Sequence, residues 1–540
     1  MKHDSLLTTR RNFIRQAACA ALGTTAMKNC IRDLHFMNAA LAQGPYTDYK
    51  ALVCIFLSGG NDSNNLIIPT IPSEYTNYAT IRTPELALPN ADGSGATVRA
   101  LSPLISDGHT YGLHPAMFEL GEMFNQTAGF NDIGKVAVQL NAGNLVYPMT
   151  KAQYNANTIA KPPQLFSHAD QVTQWQTSIP DVPPSTGWGG RMADMMHAFN
   201  PQNNALDVLS TCITLAGTNT FQVGNLVQQY AVGTSGVVTI ANPANPTSAT
   251  TARDAALKAI LGVDKAHGNY FTSSYATALD NTIATGSGLS AGLSNTQMPT
   301  YWSTVANWSK TATAHQVVTP NGGSTFTSSL MQQLKMVAQI IEAGSRNAGV
   351  SNGIGMKRQI FFVTVGGYDT HTGQTGNAGS TTTNNAAVVI GSQANLLAEI
   401  SQCIHSFMRA MKAMGIQQQS TQPGSGLHLG VNSVTCFTAS DFGRTFPGNG
   451  LGSDHGWGSH HIVAGGAVQG QKTYGMFPTL AVNGPDDTST GRWIPTTSVD
   501  QYAATLAKWL GVSSSNIATV FPNVSRFAGS YAGGYMGFMA

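Results

Sequence analysis

The sequence predicts an α/β protein, with a mostly parallel central sheet, helices on both faces and a polar insertion or cap. Three observations predict it. Short, continuous apolar runs stop at glycine or polar turns, as strands buried on both faces do. Between them lie stretches with apolar residues at helical spacing. The two patterns alternate along the chain, which is the grammar of strand–helix–strand units.

The elements follow in order. Ala51-Leu52-Val53-Cys54-Ile55-Phe56-Leu57 is apolar throughout and ends at Ser58-Gly59-Gly60, which suits a doubly buried strand. Val136-Ala137-Val138-Gln139-Leu140 reads as a second strand. Leu330, Leu334, Val337, Ala338 and Ile341 recur at helical spacing. Ile360-Phe361-Phe362-Val363-Thr364-Val365 forms a strand ending at Gly366-Gly367. Leu396, Leu397, Ile400, Ile404, Phe407, Met408 and Met411 stripe one face of a helix, and Val434-Thr435-Cys436-Phe437-Thr438 is the next strand. Residues 200–325 differ, being rich in Thr, Ser, Asn, Gly and Ala with one helical stretch near Ala252 to Leu261. They read as an insertion or cap within a single domain spanning 43–540.

The N-terminus reads as an address. Thr9-Arg10-Arg11-Asn12-Phe13-Ile14-Arg15 precedes an Ala-rich stretch from Ala17 to Met27, and Ala40-Leu41-Ala42 offers a small-x-small cleavage site. This is the anatomy of a twin-arginine signal peptide over residues 1–42, implying a periplasmic or secreted protein. No other stretch approaches the ~20 apolar residues of a membrane-spanning helix, so the mature chain is expected to lack one.

Composition narrows the partners. Only 10% of residues are charged and the net charge is +2, which argues against nucleic acid or an anionic membrane. Of six cysteines, Cys19 and Cys30 lie in the export segment, leaving Cys54, Cys212, Cys403 and Cys436. No C-x-x-C pair occurs, so zinc ribbons and thioredoxin-type chemistry are excluded.

Chemistry gathers at the strand ends, where an open parallel sheet binds its ligands. Three strands end in acidic or imidazole groups: the first of these leads into Gly59-Gly60-Asn61-Asp62-Ser63-Asn64 and the second, Ile360–Val365, into Gly366-Gly367-Tyr368-Asp369-Thr370-His371. The third leads into Ser440-Asp441-Phe442-Gly443-Arg444-Thr445, whose loop continues through Asp454-His455-Gly456 to His460-His461. Four of the fourteen histidines fall here, near aspartates. Carboxylate oxygens and neutral imidazoles together suit zinc, manganese or a similar divalent ion.

These residues resemble a family. Asp441-Phe442-Gly443-Arg444-Thr445, Asp454-His455-Gly456 and Gly475-Met476-Phe477-Pro478 look like motifs of a family of twin-arginine-exported bacterial proteins known as domain of unknown function 1501. So do Gly59-Gly60-Asn61-Asp62, Leu113-His114-Pro115, Ser167-His168-Ala169-Asp170-Gln171, Tyr368-Asp369-Thr370-His371 and Gln501-Tyr502-Ala503-Ala504. The resemblance implies the alkaline phosphatase and sulfatase superfamily, whose members hydrolyse phosphate or sulfate esters with metals at the ends of a parallel sheet.

It also implies roles. Asp62 would be the ligand of the first motif, and Asp369 with His371 the acidic-plus-histidine motif. Asp441 would serve from a later strand but lacks an adjacent histidine; Asp454-His455 and His460 or His461 in the following loop could supply the missing imidazoles. The expected ion is zinc, with manganese or calcium as others. For the nucleophile the candidates are Ser63, beside Asp62, and Ser167, at a helix N-terminus where the helix dipole favours anions. His168 would sit near the leaving group or metal, and Arg444 would grip an anionic ester with two donors. The alternative is a member with a degraded site that serves as a surface polysaccharide-binding or assembly protein.

Overall fold

A computed structural model of the chain describes residues 46–90, 97–200, 209–237, 248–266, 268–294, 296, 316–320, 324–346, 353–421, 430–527 and 536–540. The export segment read at residues 1–42, with Cys19 and Cys30, lies outside them.

Nine strands build the central sheet: β1 (Lys50–Leu57), β2 (Lys135–Gly143), β3 (Cys212–Thr214), β4 (Tyr230–Ala231), β5 (Arg358–Val365), β6 (Val434–Ser440), β7 (Ser459–Gly465), β8 (Lys472–Tyr474) and β9 (Thr497–Ser498). Their order is β8-β2-β7-β6-β1-β5-β3-β4, with β9 also paired to β2. β1 is flanked by parallel neighbours, Val53 standing opposite Phe361 on β5 and Cys436 on β6. Among the described strands of this sheet, only β7 runs against the rest. The sheet is therefore mixed but mostly parallel. Residues read from the sequence as a long loop after Asp441 thus include a strand. The imidazoles of His460 and His461 interrupt its apolar pattern, although all seven of its residues are buried.

Period-2 alternation along β1 divides the core in two. Ala51, Val53, Ile55 and Leu57 face helices α2 (Phe118–Asn125), α5 (Ser329–Ser345) and α6 (Ser392–Thr421), once α1 (Pro72–Leu86), α3 (His168–Thr177) and α4 (Trp188–Met196) are counted before them. Leu52, Cys54 and Phe56 face α4 and α7 (Val499–Leu510) on the other side. Each strand residue points opposite to its neighbours, so an unbroken apolar run can feed both layers at once. On α6 the stripe Leu397, Ile400, Ile404, Phe407 and Met411 is buried as the 3.6-residue period requires. Cys54, Cys212, Cys403 and Cys436 are buried free thiols, and Cys54 and Cys436 occupy the buried strands expected of them.

Within the region read as an insertion, β3 and β4 extend the sheet beyond β5, with Cys212 opposite Ile360. Two further helices there, Ser248–Lys265 and Tyr270–Ser294, pack on one another. The first contains the helical stretch read near Ala252. No helix among the described residues is long and apolar enough to cross a membrane.

Candidate functional site

β6, β1 and β5 are adjacent and parallel, so the chain leaves all three at one edge of the sheet. The turn after β1 must pass close to the one after β5. Gly59 has φ +119°, and a Cβ there would lie 2.4 Å from the Asp369 backbone nitrogen, so only glycine fits. Its N–H donates to Asp441 Oδ1 at 3.1 Å, which ties the first loop to the third.

His168 arrives from outside the sheet, as the first residue of α3. Before it, Gln164 (φ 52°) and Phe166 (φ 72°) both adopt the left-handed backbone region. For a bulky residue such as Phe that conformation is strained and is held only by its surroundings. It coincides with a contact: the Phe166 carbonyl accepts a hydrogen bond from His455 Nδ1 at 2.8 Å.

Three imidazoles meet here, and each has one ring nitrogen bound to an acceptor. His168 Nδ1 is 2.7 Å from Asp441 Oδ2, His371 Nδ1 is 3.0 Å from Asp454 Oδ1, and His455 Nδ1 is on the Phe166 carbonyl. A carbonyl or carboxylate oxygen only accepts, so in the neutral ring each Nδ1 carries the proton and each Nε2 presents a lone pair. Those lone pairs converge. His455 Nε2 lies 3.1 Å from His168 Nε2 and 3.0 Å from His371 Nε2. Asp369 joins them, with Oδ1 3.1 Å from His371 Nε2 and 3.3 Å from His455 Nε2, and Oδ2 3.5 Å from His168 Nε2. Lone pairs facing one another at such distances repel unless a cation lies among them. His168, Asp369 and His455 each offer an atom within 4.8 Å of the others, a set that could hold a metal ion. An imidazole whose Nδ1–H is fixed by a carboxylate or carbonyl is also how proteins orient metal-binding histidines.

Electrostatics agree with an acceptor-rich centre. Burial alone would raise the Asp369 pKa, but the hydrogen bond and charge of the Arg444 guanidinium, with the nearby His371 and His168, together outweigh this and hold the carboxyl below its usual value. Asp454 is likewise lowered, Asn449 and His371 overcoming the effect of burial. Burial pulls the His455 imidazole down, favouring its neutral form. The cluster is open: the side chains of Asp369, His371 and His168 are 46%, 40% and 35% exposed.

The loop from Asp441 to Gly458 folds back as a narrow ladder, Thr445 N–H donating to the Asp454 carbonyl and Gly456 N–H to the Gly443 carbonyl. A Cβ on Gly456 would sit 2.7 Å from the Arg444 carbonyl carbon, so the ladder closes only with glycine there. This folding sets His455 opposite Arg444. Arg444 itself is buried, its Nη1 donating to Asp369 Oδ1 at 2.7 Å and to the Gly59 carbonyl at 3.2 Å, and its Nη2 to the Ser453 carbonyl. Its guanidinium thus orients Asp369 instead of facing a ligand.

Not every residue singled out by sequence reaches the cluster. Asp62 is enclosed and ion-paired with Arg82 of α1, and also accepts from Gln374 Nε2. Ser63 is 1% exposed. His461 lies between Trp175 and Tyr502, where burial lowers its pKa to about 3 and keeps it neutral. Ser167 is the N-cap residue of α3, yet its hydroxyl bonds no helix N–H and instead donates to Asp170 Oδ2 at 2.6 Å. Asp441 and Asp454 hold the backs of imidazoles. The histidine missing beside Asp441 in sequence comes from His168, 273 residues away. Nothing local marks the Phe166 carbonyl or Asn449, since a backbone oxygen has no signature and a lone Asn reads as a turn.

Residues 427–516 match the model of a protein family of unknown function, DUF1501. That stretch contains Asp441, Arg444, Asp454 and His455, whereas His168, Asp369 and His371 lie outside it. No curated protein and no solved structure matches the chain.

Proposed function

We propose that the chain is an exported, metal-dependent hydrolase acting on a phosphate or sulfate ester, on the plan of the alkaline phosphatase and sulfatase superfamily. One observation carries the reading: three imidazoles with their Nδ1–H groups committed to Asp441, Asp454 and the Phe166 carbonyl aim their Nε2 lone pairs together, beside Asp369. His168, His371, His455 and Asp369 would hold one divalent cation. Three imidazole donors favour zinc or manganese over calcium, which takes oxygen ligands. Such an ion supplies Lewis acidity toward an ester oxygen. The chain's own residues orient and hold protons around it. Asp441 and Asp454 fix the His168 and His371 tautomers, and Arg444 fixes Asp369. Ser167 is the favoured nucleophile, because its hydroxyl already donates to a carboxylate that can take its proton.

The test is elemental analysis of the purified protein, followed by turnover of phosphate, phosphodiester and sulfate esters. About one equivalent of zinc or manganese is expected, and an Asp369→Ala/His371→Ala protein should lose both metal and turnover. Full activity in that double variant would sink the reading. A second reading, a surface polysaccharide-binding protein with a lapsed site, draws on the enclosure of Arg444 and of Ser63. Metal-free wild-type protein that binds polysaccharide would decide for it.

A further inference from the structure

An anionic ester needs a cation, and the charges of the cluster leave none over. Asp369, Asp441 and Asp454 carry three negative charges, which Arg444 and one divalent ion would only neutralise. The Arg444 side chain is wholly enclosed behind Asp369, so its donors do not face a ligand arriving from solvent. A different guanidinium touches the same loop. Arg492 Nε donates to the His455 carbonyl at 2.8 Å, and its carbon centre lies 4.3 Å from the centroid of the Phe166 ring. These are the two residues joined by the His455 Nδ1–Phe166 carbonyl bond, so Arg492 clamps that pair from behind its backbone. It is half-buried, and its Nη1 and Nη2 groups have no partner among the described residues. The nearest acid in sequence, Asp487, is turned into its own loop, accepting the backbone N–H groups of Asn483, Ser489 and Arg492.

We infer that Arg492 holds the anionic group of the substrate, and that the substrate is a monoanionic ester, a sulfate ester or a phosphate diester. The inference rests on the hydrolase reading for its metal, but not for its anion. A guanidinium fixed by ring stacking at one face and a carbonyl at Nε keeps its paired Nη donors in one plane, the geometry that grips two oxygens of a tetrahedral anion. One uncancelled positive charge matches one negative charge. A phosphate monoester dianion would bring an excess negative charge to a centre that Arg492 alone does not balance.

The experiment combines metal analysis, calorimetric titration with the monoanion methyl sulfate, and kinetics with p-nitrophenyl sulfate, bis(p-nitrophenyl) phosphate and p-nitrophenyl phosphate. Wild-type protein should prefer one of the two monoanions to the monoester by at least about tenfold in kcat/KM. Arg492→Ala should weaken methyl sulfate binding and raise KM for the monoanion by at least about tenfold, the worth of a charge-assisted hydrogen bond, with metal content unchanged. Arg492→Lys keeps the charge and a donor for the His455 carbonyl, and should fall between. Preference for the monoester, or unaltered methyl sulfate affinity in Arg492→Ala, overturns the inference. So does loss of metal along with methyl sulfate in both variants, because Arg492 would then act only through His455. Arg492-dependent methyl sulfate binding by wild-type protein that holds no metal would refute the hydrolase reading and uphold only Arg492 as an anion site.

Discussion

Gly59-Gly60-Asn61-Asp62 and Gly366-Gly367-Tyr368-Asp369 repeat one pattern at the ends of neighbouring strands, and their carboxylates meet opposite fates. The Asp62 side chain is wholly enclosed and faces Arg82, itself wholly enclosed, while that of Asp369 is 46% exposed and faces Arg444 from the solvent side. Both turns put an aspartate past a strand end and both recruit an arginine. The difference lies in what surrounds the pair. Around Asp62, α1 supplies Arg82, and Gln374 and Gln393 bond its carboxylate and its carbonyl. Around Asp369, imidazoles from three separate segments close in and solvent remains. The first pattern clamps the loops together, and the second presents acceptors.

The comparison breaks hardest at the arginines. Arg82→Met would leave the Asp62 charge buried without its partner, and removing one member of a buried pair costs about 3–5 kcal/mol. Arg82 also donates to the Thr445 and Phe446 carbonyls, so its loss frees the third loop as well. Urea unfolding should register a drop of that size. A drop below about 1 kcal/mol would mean that the first turn is no clamp.

A smaller effect should separate stability from chemistry at the second site. Asp441 accepts from Gly59 N–H with one oxygen and from His168 Nδ1–H with the other. Asp441→Asn keeps the shape but weakens the hold on the His168 tautomer. Metal affinity, measured by competition with a chelator, should fall about 10–100-fold, the usual cost of losing an outer-shell partner. Unchanged affinity would show that Asp441 does not orient a metal-binding ring.

How much of this was legible in sequence follows the range of the interactions. β1, β5, β6 and α6 were readable because apolar periodicity is local, and each pattern spans its own element. β7 was not, since His460 and His461 disguise a buried strand as a polar loop. The pairing of Asp369 with His371 was readable at two residues' separation. The pairing of Asp441 with His168 was not, because only the fold brings residues 273 apart into contact. Arg444 was tied to Asp369's neighbourhood by its motif, and it does bond that carboxylate, but spacing could not tell a guanidinium that holds a ligand from one that holds a carboxylate.

The finest test of the comparison is Ser63→Ala. Ser63 follows Asp62 as Thr370 follows Asp369, and the family resemblance made it a nucleophile candidate beside the implied ligand Asp62. In the fold it is 1% exposed, within a turn where Asn65 and Leu66 bond back to the carbonyls of Asp62 and Ser63. An enclosed hydroxyl in a clamp has no route to an ester in solvent. Its removal should change stability by no more than about 1–2 kcal/mol and leave turnover within about twofold, since one buried hydrogen-bonding group is at stake. Ser167→Ala is the counterpart, losing turnover while metal content and folding persist. If Ser63→Ala instead abolished turnover with metal retained, the attacking group would belong to the enclosed turn. The turn would then have to open during the reaction, and the division between clamp and centre would fail.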